Sequence, residues 1–317
     1  MRNRLLIVLG AVVVLVLAAT AYTVRARDRG QPSTNAVPVV SGPLSVGGLM
    51  FRNTAAGPDS GKVAAQGEPR RVGGLTCDRF YAAGGTAACL AVQPGVLPTM
   101  TDLIVLDANL NERARHELPG IPNRLRVSPS GRMISWTVFV EGDSYSAGAF
   151  STRTGILDTR TDDLRLSVED IFLEVDGKRY FASDLNFWGV TFTADDEAFY
   201  ATVASAGRTY LIEADYRDWV AKALRDNVEC PSLSPDGTRV AFKKRVSPTE
   251  WRLHVLDVTT LAETALAETR SVDDQAVWLD NATVAYGLPG DVWSVPADGT
   301  GTPRLVIPSA ASPVPAA

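Results

Sequence analysis

"LSPDGTRVAF", residues 233–242, decides the fold of this 317-residue chain, because its pattern recurs elsewhere in the sequence. Each copy starts with apolar residues, passes through a short polar turn and ends in an alternating, strand-like run. Measured between equivalent turn positions, the four clear copies are 65, 41 and 44 residues apart. The other copies are VSPSGRMISW at 127–136, FTADDEAFYA at 192–201 and VWLDNATVAY at 277–286, with a weaker one in YAAGGTAACLAV at 81–92.

A second landmark follows each turn, namely an apolar strand that ends in aspartate, as in LIVLD at 103–107 and HVLD at 254–257. The aspartate can accept a hydrogen bond from the backbone two residues on and so start the next turn. A period of about 40 to 45 residues that carries four short strands is typical of a propeller blade. Such blades bury both sheet faces by packing radially against their neighbours.

The repeats predict an all-β fold, a six-bladed β-propeller. Residues 48–72 contribute three further strands without a preceding first strand, and ASPVPA at 311–316 resembles the first strand of another blade. We therefore expect a sixth blade that closes the ring by pairing N- and C-terminal strands. The other five blades begin near Cys77, Asn123, Asn186, Val228 and Ser271.

The long interval of 65 residues predicts an insertion in the third blade. Residues 171–181, IFLEVDGKRYF, have a hairpin pattern with Asp176-Gly177 as its two-residue turn. Two interpretations stay open, a decorative extension and a lip over one face of the propeller. Helical spacing beyond a turn or two is confined to the region from Tyr216 to Leu224.

The N-terminus predicts an export or anchoring segment over residues 1–29. Arg2 and Arg4 precede an 18-residue, uncharged and mostly apolar run, just short of the roughly 20 residues that span a bilayer. The run exceeds a typical signal-peptide core, which favours a retained transmembrane signal-anchor helix, whereas Ala19-Thr20-Ala21 leaves a cleaved signal open. Residues 30–43, rich in Pro, Ser and Gly, are predicted to be a flexible linker to a propeller over 44–317.

The three cysteines give information on the cellular compartment of the protein. Cys77 and Cys89 flank a segment with a Gly84-Gly85 turn, which suits a disulfide across a hairpin, although two buried free thiols stay open as the alternative. Cys230 is interpreted as a structural thiol. A disulfide persists only in an oxidising compartment. Together with the export segment, this predicts a single-pass membrane protein whose propeller lies outside the cytoplasm, or a secreted protein if the signal is cleaved.

Composition and motifs indicate no chemistry that the chain would catalyse. Lys plus Arg number 31 against 36 Asp plus Glu, so the basic surface needed for nucleic acid is not expected. The sequence lacks a G-x-S-x-G elbow, clustered zinc ligands and a phosphate-binding glycine loop. Of its two histidines, His116 is predicted to lie at the surface and His254 in a strand. We therefore expect no catalytic, cofactor-binding or metal-binding residues, and no cofactor.

The motif SPDGTRVAF followed by the strand WRLHVLDVTT resembles the TolB-type propeller repeat, and residues 44–317 as a whole are similar to TolB-like propeller proteins that are membrane-anchored in high-GC Gram-positive bacteria. The resemblance implies a non-enzymatic, extracytoplasmic protein that docks partners through a propeller face. TolB proteins dock the peptidoglycan-associated lipoprotein and carry an extra N-terminal domain, for which this chain has no room. Similar propellers also cap prolyl-oligopeptidase enzymes, which add a hydrolase domain.

The expected function is an interaction scaffold that binds a protein or another cell-envelope component. Rigid aromatic side chains are favoured anchors at interfaces. Tyr145, Trp188 and Trp251 are the predicted interaction surface, although packing between blades explains such residues equally well. The competing hypotheses are a propeller-type hydrolase or lyase acting at the central channel, and a sensor of small ligands.

Overall fold

The structure, a computed structural model, describes residues 38–140 and 151–315. All of the regular elements in these residues are strands, which confirms the all-β prediction. No helix there is long and apolar enough to cross a membrane. The predicted anchor at 1–29, most of the predicted linker and Tyr145 lie outside the described residues.

The described residues form 27 strands in six sheets. Short polar turns separate runs of β-branched and apolar residues, and this alternation sets the strand boundaries. In chain order the strands are β1 Val39–Ser41, β2 Met50–Asn53, β3 Lys62–Ala65, β4 Arg70–Thr76, β5 Arg79–Ala83, β6 Thr86–Val92, β7 Met100–Leu106, β8 Glu112–Pro119, β9 Ile121–Val127, β10 Met133–Val140, β11 Ser151–Asp158, β12 Asp163–Arg165, β13 Phe172–Val175, β14 Lys178–Tyr180, β15 Asn186–Phe192, β16 Ala198–Ser205, β17 Arg208–Asp215, β18 Val220–Asp226, β19 Glu229–Leu233, β20 Arg239–Ser247, β21 Glu250–Asp257, β22 Glu263–Ala265, β23 Val277–Asp280, β24 Thr283–Leu288, β25 Asp291–Pro296, β26 Arg304–Pro308 and β27 Ala310–Val314.

The sheets are the blades of a propeller. Blades two to six are built on β5–β8, β9–β12, β15–β18, β19–β22 and β23–β26, each an antiparallel meander. The first strands of neighbouring blades lie beside one another around the centre, and later strands lie progressively outward. Six blades in the described chain confirm the predicted architecture.

The first blade closes the ring with both ends of the described chain, as predicted. Strand β27 pairs antiparallel with β2, so that Asn53 is opposite Ala310 and Met50 is opposite Val314. The side chain of Arg70 reinforces this closure. Its Nη1 donates to Asn53 Oδ1 at 2.6 Å and to the Ser309 carbonyl at 3.1 Å. The guanidinium therefore joins the N-terminal strands of the blade to the C-terminal one.

Two short segments differ from the sequence predictions. Val39–Ser41, within the predicted linker, forms the edge strand β1 and pairs in parallel with β4. The stretch from Tyr216 to Leu224, which has helical spacing, forms a turn and then β18 instead of a helix. Pairing of β18 with β17 on one side and β13 on the other supplies its backbone hydrogen bonds and outweighs local helix preference.

The predicted hairpin insertion exists, but it belongs to the neighbouring blade. Strands β13 and β14 are joined at Asp176-Gly177, as the sequence indicates. Strand β13 pairs in parallel with β18, with Phe172 opposite Val220, because the outer edge of β18 offers unpaired backbone groups. The insertion therefore extends the outer edge of the fourth blade and does not form a lip over one face.

The repeated motif forms the turn between the first and second strands of a blade. In the fifth blade, Gly237 donates its N–H to the Ser234 carbonyl at 2.9 Å, and it adopts a φ of 72° that a side chain would disfavour. Ser234 Oγ donates to Asp236 Oδ1 at 2.6 Å. The strand-ending aspartates also act as predicted, since Asp257 Oδ1 accepts the N–H of Thr259, two residues on, at 3.0 Å, and Asp107 Oδ1 accepts that of Asn109 at 2.9 Å.

The core lies between blades as well as within them. One cluster joins Met133 and Ile156 of the third blade to Phe187 and Phe199 of the fourth, all fully buried. Burial of this kind stabilises a sheet at roughly 25 cal/mol per Å² of apolar surface. Each blade therefore depends on its neighbours for its stability, and the ring holds the channel-lining strands in fixed positions.

Candidate functional site

The central channel has two different ends. The first strands of all blades run in the same direction, so they begin at one face, here called the loop face, and end at the other, here called the turn face. Arg79 and Asn123 mark the loop face, and Gly84, Pro129 and Pro235 mark the turn face. The two ends differ in width and in lining.

The turn face opens into a cavity of about 420 Å³. Pockets of about 300 to 1,000 Å³ are typical of ligand sites. Its walls are the ends of the first strands and the repeated turns that follow them, so the sequence motif that builds the blades also frames this cavity. Aromatic and apolar side chains dominate the walls, among them Tyr81, Val127, Phe192, Leu233 and Trp278.

Arg126, on β9, is the cation of this cavity and is only 5% exposed. Its guanidinium lies over the ring of Tyr81, with the Cζ atom 4.5 Å from the ring centroid. Nη2 donates to the Ala276 carbonyl at 3.1 Å. Nε is buried and has no hydrogen-bond partner. Among the residues that the structure describes, no carboxylate oxygen lies within 4.0 Å of its nitrogens.

Asp236 is the acidic residue in the cavity lining, and its carboxylate already accepts hydrogen bonds within its own turn. Oδ1 accepts hydrogen bonds from Ser234 Oγ, from Thr238 N at 3.1 Å and from Thr238 Oγ1 at 2.8 Å. The hydrogen bond from Ser234 lowers the pKa of Asp236 below its usual value. An ionised, turn-bound carboxylate of this kind is suited to structure and is poorly suited to general acid catalysis.

Toward the loop face the channel narrows to a space of about 30 Å³. Gln275 fills part of it and donates Nε2 to the Pro231 carbonyl at 2.7 Å. Arg124 Nη1 donates to Asn123 Oδ1 at 2.6 Å and lies 3.9 Å from Asp274 Oδ1. Burial lowers the pKa of Arg79, and the charge of Asp274 opposes that change. The loop-face end is therefore tightly packed.

Trp251 belongs to a charged cluster near the loop face. Lys243 Nζ lies 4.8 Å from the centroid of the indole, and the Arg245 guanidinium lies 5.1 Å from it. Arg245 Nε donates to Glu229 Oε1 at 3.1 Å, and Lys243 Nζ donates to Asp273 Oδ1. The half-buried tryptophan thus packs against cations that neighbouring carboxylates already balance.

Trp188 is half-buried on β15, opposite Thr202 of the next strand. It lies near the start of a first strand, so it belongs, like Trp251, to the loop-face half of the propeller. Neither residue lines the cavity at the turn face. The structure therefore separates these two candidate interaction residues from the cavity at the turn face.

The cysteines and His254 have structural surroundings. The structure joins Cys77 to Cys89 in a disulfide with Cα atoms 5.5 Å apart, and Cys230 is a buried free thiol. His254 Nδ1 lies 2.7 Å from Glu263 Oε1. Burial lowers the pKa of His254, and the Glu263 carboxylate opposes that shift. Within residues 38–140 and 151–315, no group of three or more His, Cys, Asp or Glu side chains is arranged to hold a metal ion.

Neither Arg126 nor Tyr81 was predicted from the sequence. A signal for Arg126 existed, because the stretch Leu125–Val127 places an arginine between two apolar residues immediately before a repeated turn. All three residues are buried in the structure. Since Arg126 lies on the first strand of its blade and lines the cavity, it is a candidate binding residue.

The chain has no match among protein-family models and none among curated proteins. Its fold is similar to that of the crystal structure of TolB from Acinetobacter baumannii, with a TM-score of 0.59 at 16% identity over 84% of this chain and 66% of that one. It thus spans just under two thirds of the TolB chain. A chain in the crystal structure of a Nidogen/Laminin complex is also similar, with a TM-score of 0.54 at 10% identity over 84% of this chain and 97% of that one. At such identities the similarity concerns the fold alone. The fold of this chain is a TolB-like six-bladed β-propeller.

Proposed function

We propose that this protein is a non-enzymatic interaction scaffold that binds a protein or another cell-envelope component through the turn face of its propeller. The observation that carries the proposal is the cavity of about 420 Å³ at that face, with its mainly apolar and aromatic walls. Binding sites are typically concave, apolar and supplied with a few polar groups. The rigid ring of blades would present this cavity to a partner without a conformational change.

The lining of the cavity supports binding more than catalysis. Its carboxylate, Asp236, is committed to a turn, and its cation, Arg126, is buried and fixed by the Ala276 carbonyl. A hydrolase or lyase needs a nucleophile, a general acid or a general base within reach of the substrate. The described lining residues include no histidine, cysteine or lysine, and the hydroxyls of Ser232 and Ser234 in the lining are already bonded to Arg126 and Asp236.

The proposal includes a location. Residues 1–29 would tether the chain to the cell membrane, and the propeller would lie outside the cytoplasm, where a Cys77–Cys89 disulfide is stable. A scaffold tethered in this way would meet envelope proteins at the membrane surface. The TolB-like fold is compatible with this role.

Site-specific photo-crosslinking in intact cells tests the proposal. The full-length chain would carry p-benzoylphenylalanine in place of Ala194, which is exposed and lines the cavity. The control carries the same group in place of Arg113, on the outer strand of the second blade, where the side chain is 67% exposed. We expect a discrete crosslinked envelope product from position 194 and none from position 113.

Two results would contradict the proposal. One is the absence of any product from position 194 that position 113 does not also give. The other is turnover by the purified full-length chain in a broad screen of hydrolase and lyase substrates, with loss of turnover when the cavity is blocked by the bulky residue at 194. The second result would favour the enzymatic alternative.

A further inference from the structure

We propose that the turn-face cavity binds the C-terminal end of a partner polypeptide and that the terminal carboxylate pairs with Arg126. This inference rests on the proposed scaffold function and specifies what the cavity takes. Arg126 is among the residues that line the cavity, is 5% exposed and has no carboxylate partner among the described residues.

An unpaired buried cation is unusual, because removing a charge from water costs free energy unless a counter-charge compensates. The other arginines at the centre are balanced differently. Arg124 lies 3.9 Å from Asp274, and Arg79 has the same carboxylate as its main opposing charge. Arg126 instead has neutral partners, namely the Ala276 carbonyl, the Ser232 hydroxyl at 3.5 Å and the ring of Tyr81, and its buried Nε is unsatisfied. The missing counter-charge is therefore expected to arrive with a ligand.

The geometry around Arg126 suits a carboxylate. Stacking on Tyr81 at 4.5 Å and the hydrogen bond from Nη2 to Ala276 fix the plane of the guanidinium. A fixed guanidinium loses little further freedom when it binds an anion. Hydrogen bonds between an arginine and a carboxylate are charge-assisted and roughly twice as strong as those between neutral groups.

The shape of the channel favours a chain end over an internal loop. On the loop-face side of Arg126 and Tyr81 the free space falls to about 30 Å³, so a polypeptide that enters from the turn face cannot pass through. An internal segment would have to enter and leave by the same opening. A positive charge at the bottom repels a terminal amine and attracts a terminal carboxylate, a recognised mode of peptide capture.

The walls indicate the residues that precede the carboxylate. Phe192, Leu233 and Trp278 surround the space above Arg126, and Trp278 Nε1 is already bonded to the Ser232 carbonyl at 2.8 Å. These side chains offer mainly apolar contact. The last two or three residues of the ligand are therefore expected to be small or medium-sized and apolar.

Peptide binding to the full-length chain in detergent tests this inference. The probe is a fluorescent octapeptide mixture in which the last three positions contain Ala, Val, Leu and Phe, with a free C-terminal carboxylate. The matched probe is the same mixture with a C-terminal amide. Fluorescence polarisation should show at least tenfold weaker binding of the amide. Equal binding of both mixtures, or no binding of either at 1 mM, would overturn the inference.

Substitutions of Arg126 test whether this residue causes the preference for the free carboxylate. Arg126→Met should abolish the preference for the acid, and Arg126→Lys should keep part of it because the charge remains. Arg113→Met removes the same charge at a remote position and should leave the preference unchanged. Circular dichroism verifies the fold of each variant, and the acid-to-amide ratio of the unmodified chain remains decisive if Arg126→Met fails to fold.

Two further results separate the inference from the scaffold proposal. Crosslinking from position 194 together with equal binding of acid and amide peptides would leave the scaffold standing and refute the role of the carboxylate. Binding of an acidic oligosaccharide such as oligogalacturonate, dependent on Arg126 and stronger than that of the acid peptides, would show that the cavity takes an anionic polymer and refute the peptide ligand.

Discussion

The indole of Trp136 lies directly against the backbone of Gly155, its partner across strands β10 and β11. A Cβ atom added at Gly155 would lie 2.3 Å from Trp136 Cζ2 and 2.5 Å from the Arg165 carbonyl oxygen. Trp136 is 1% exposed, so it has no space into which it could move. We therefore expect Gly155→Ala to lower the free energy of unfolding by about 1 to 3 kcal/mol, the usual cost of overpacking.

Urea unfolding of the full-length chain, followed by tryptophan fluorescence, measures this loss. Gly74→Ala is the matched control, because Gly74 is also in a strand and a Cβ there meets no atom within 4 Å. The control should be neutral or slightly stabilising. Equal stabilities of the two variants would contradict the packing described here.

The Arg132–Asp158 pair predicts a pH-dependent contribution to stability. Arg132 Nε donates to Asp158 Oδ1 at 2.9 Å, and Nη2 donates to Oδ2, while Asp158 is 2% exposed. These hydrogen bonds lower the pKa of Asp158 below 3.8. A carboxyl group whose pKa is lower in the folded chain than in the unfolded chain stabilises the fold at pH values above its unfolded pKa. This stabilisation is lost as the pH falls through its folded pKa. Arg132→Met should thus destabilise the protein by about 3 kcal/mol at pH 7 and by less at pH 3.

Unfolding midpoints at pH 7 and pH 3 check this prediction. Arg113→Met is the control, since Arg113 is 67% exposed and its ion pair with Asp107 lies at the surface, so its loss should change stability little at either pH. A constant difference between Arg132→Met and the unmodified chain across this pH range would argue against the ion pair.

The Cys77–Cys89 disulfide predicts the thiol content of the protein. The full-length chain, exported and purified without reductant, should show one reactive thiol per chain when denatured, from Cys230, and none when native because Cys230 is buried. Replacing both Cys77 and Cys89 by alanine should cost about 2 to 4 kcal/mol. Titration with a thiol reagent measures the count, and three thiols in the denatured chain would show that the bond does not form.

His254 should titrate below the ordinary histidine value of 6.5, because burial lowers its pKa. A folded pKa below the unfolded one means that neutral His254 stabilises the fold above about pH 6.5 and that this contribution is lost as the pH falls. A proton NMR titration of the full-length chain measures the midpoint. His254→Gln assigns the signal, since His116 is the other histidine. A midpoint above 6.5 would contradict the buried environment.

The sequence predicted the repeat and the closure of the ring because both depend on short-range patterns. The turn that contains Ser234, Asp236 and Gly237 is formed by residues close together in the chain, so its geometry follows from the local sequence. The missing strand of the first blade has a recognisable copy near residue 311. The hairpin at residues 171–181 was also predictable, although the blade to which it belongs was not. Its placement depends on which sheet edge is free, and that is a long-range property.

The candidate site was harder to predict because its residues lie far apart in the sequence and come together only in the folded ring. Tyr81, Arg126 and Phe192 come from three different blades and meet only when the ring is complete. Their residue types are ordinary for strands, and none forms a local motif. Trp251, whose role as a surface anchor stays a prediction, lies against Lys243 and Arg245 of its own blade, and the sequence pattern did not indicate these contacts.

The pairing of β2 with β27 has a consequence for biogenesis. Met50 and Val314 stand near opposite ends of the described chain, so this contact has the longest loop to close and is expected to form late. Until then β2 presents an open edge that could pair with a strand of another molecule. In a chain that is synthesised from its N-terminus, the ring cannot close before residues 310–314 have emerged. Interruption of synthesis shortly before residue 310 would therefore release an open ring prone to aggregation.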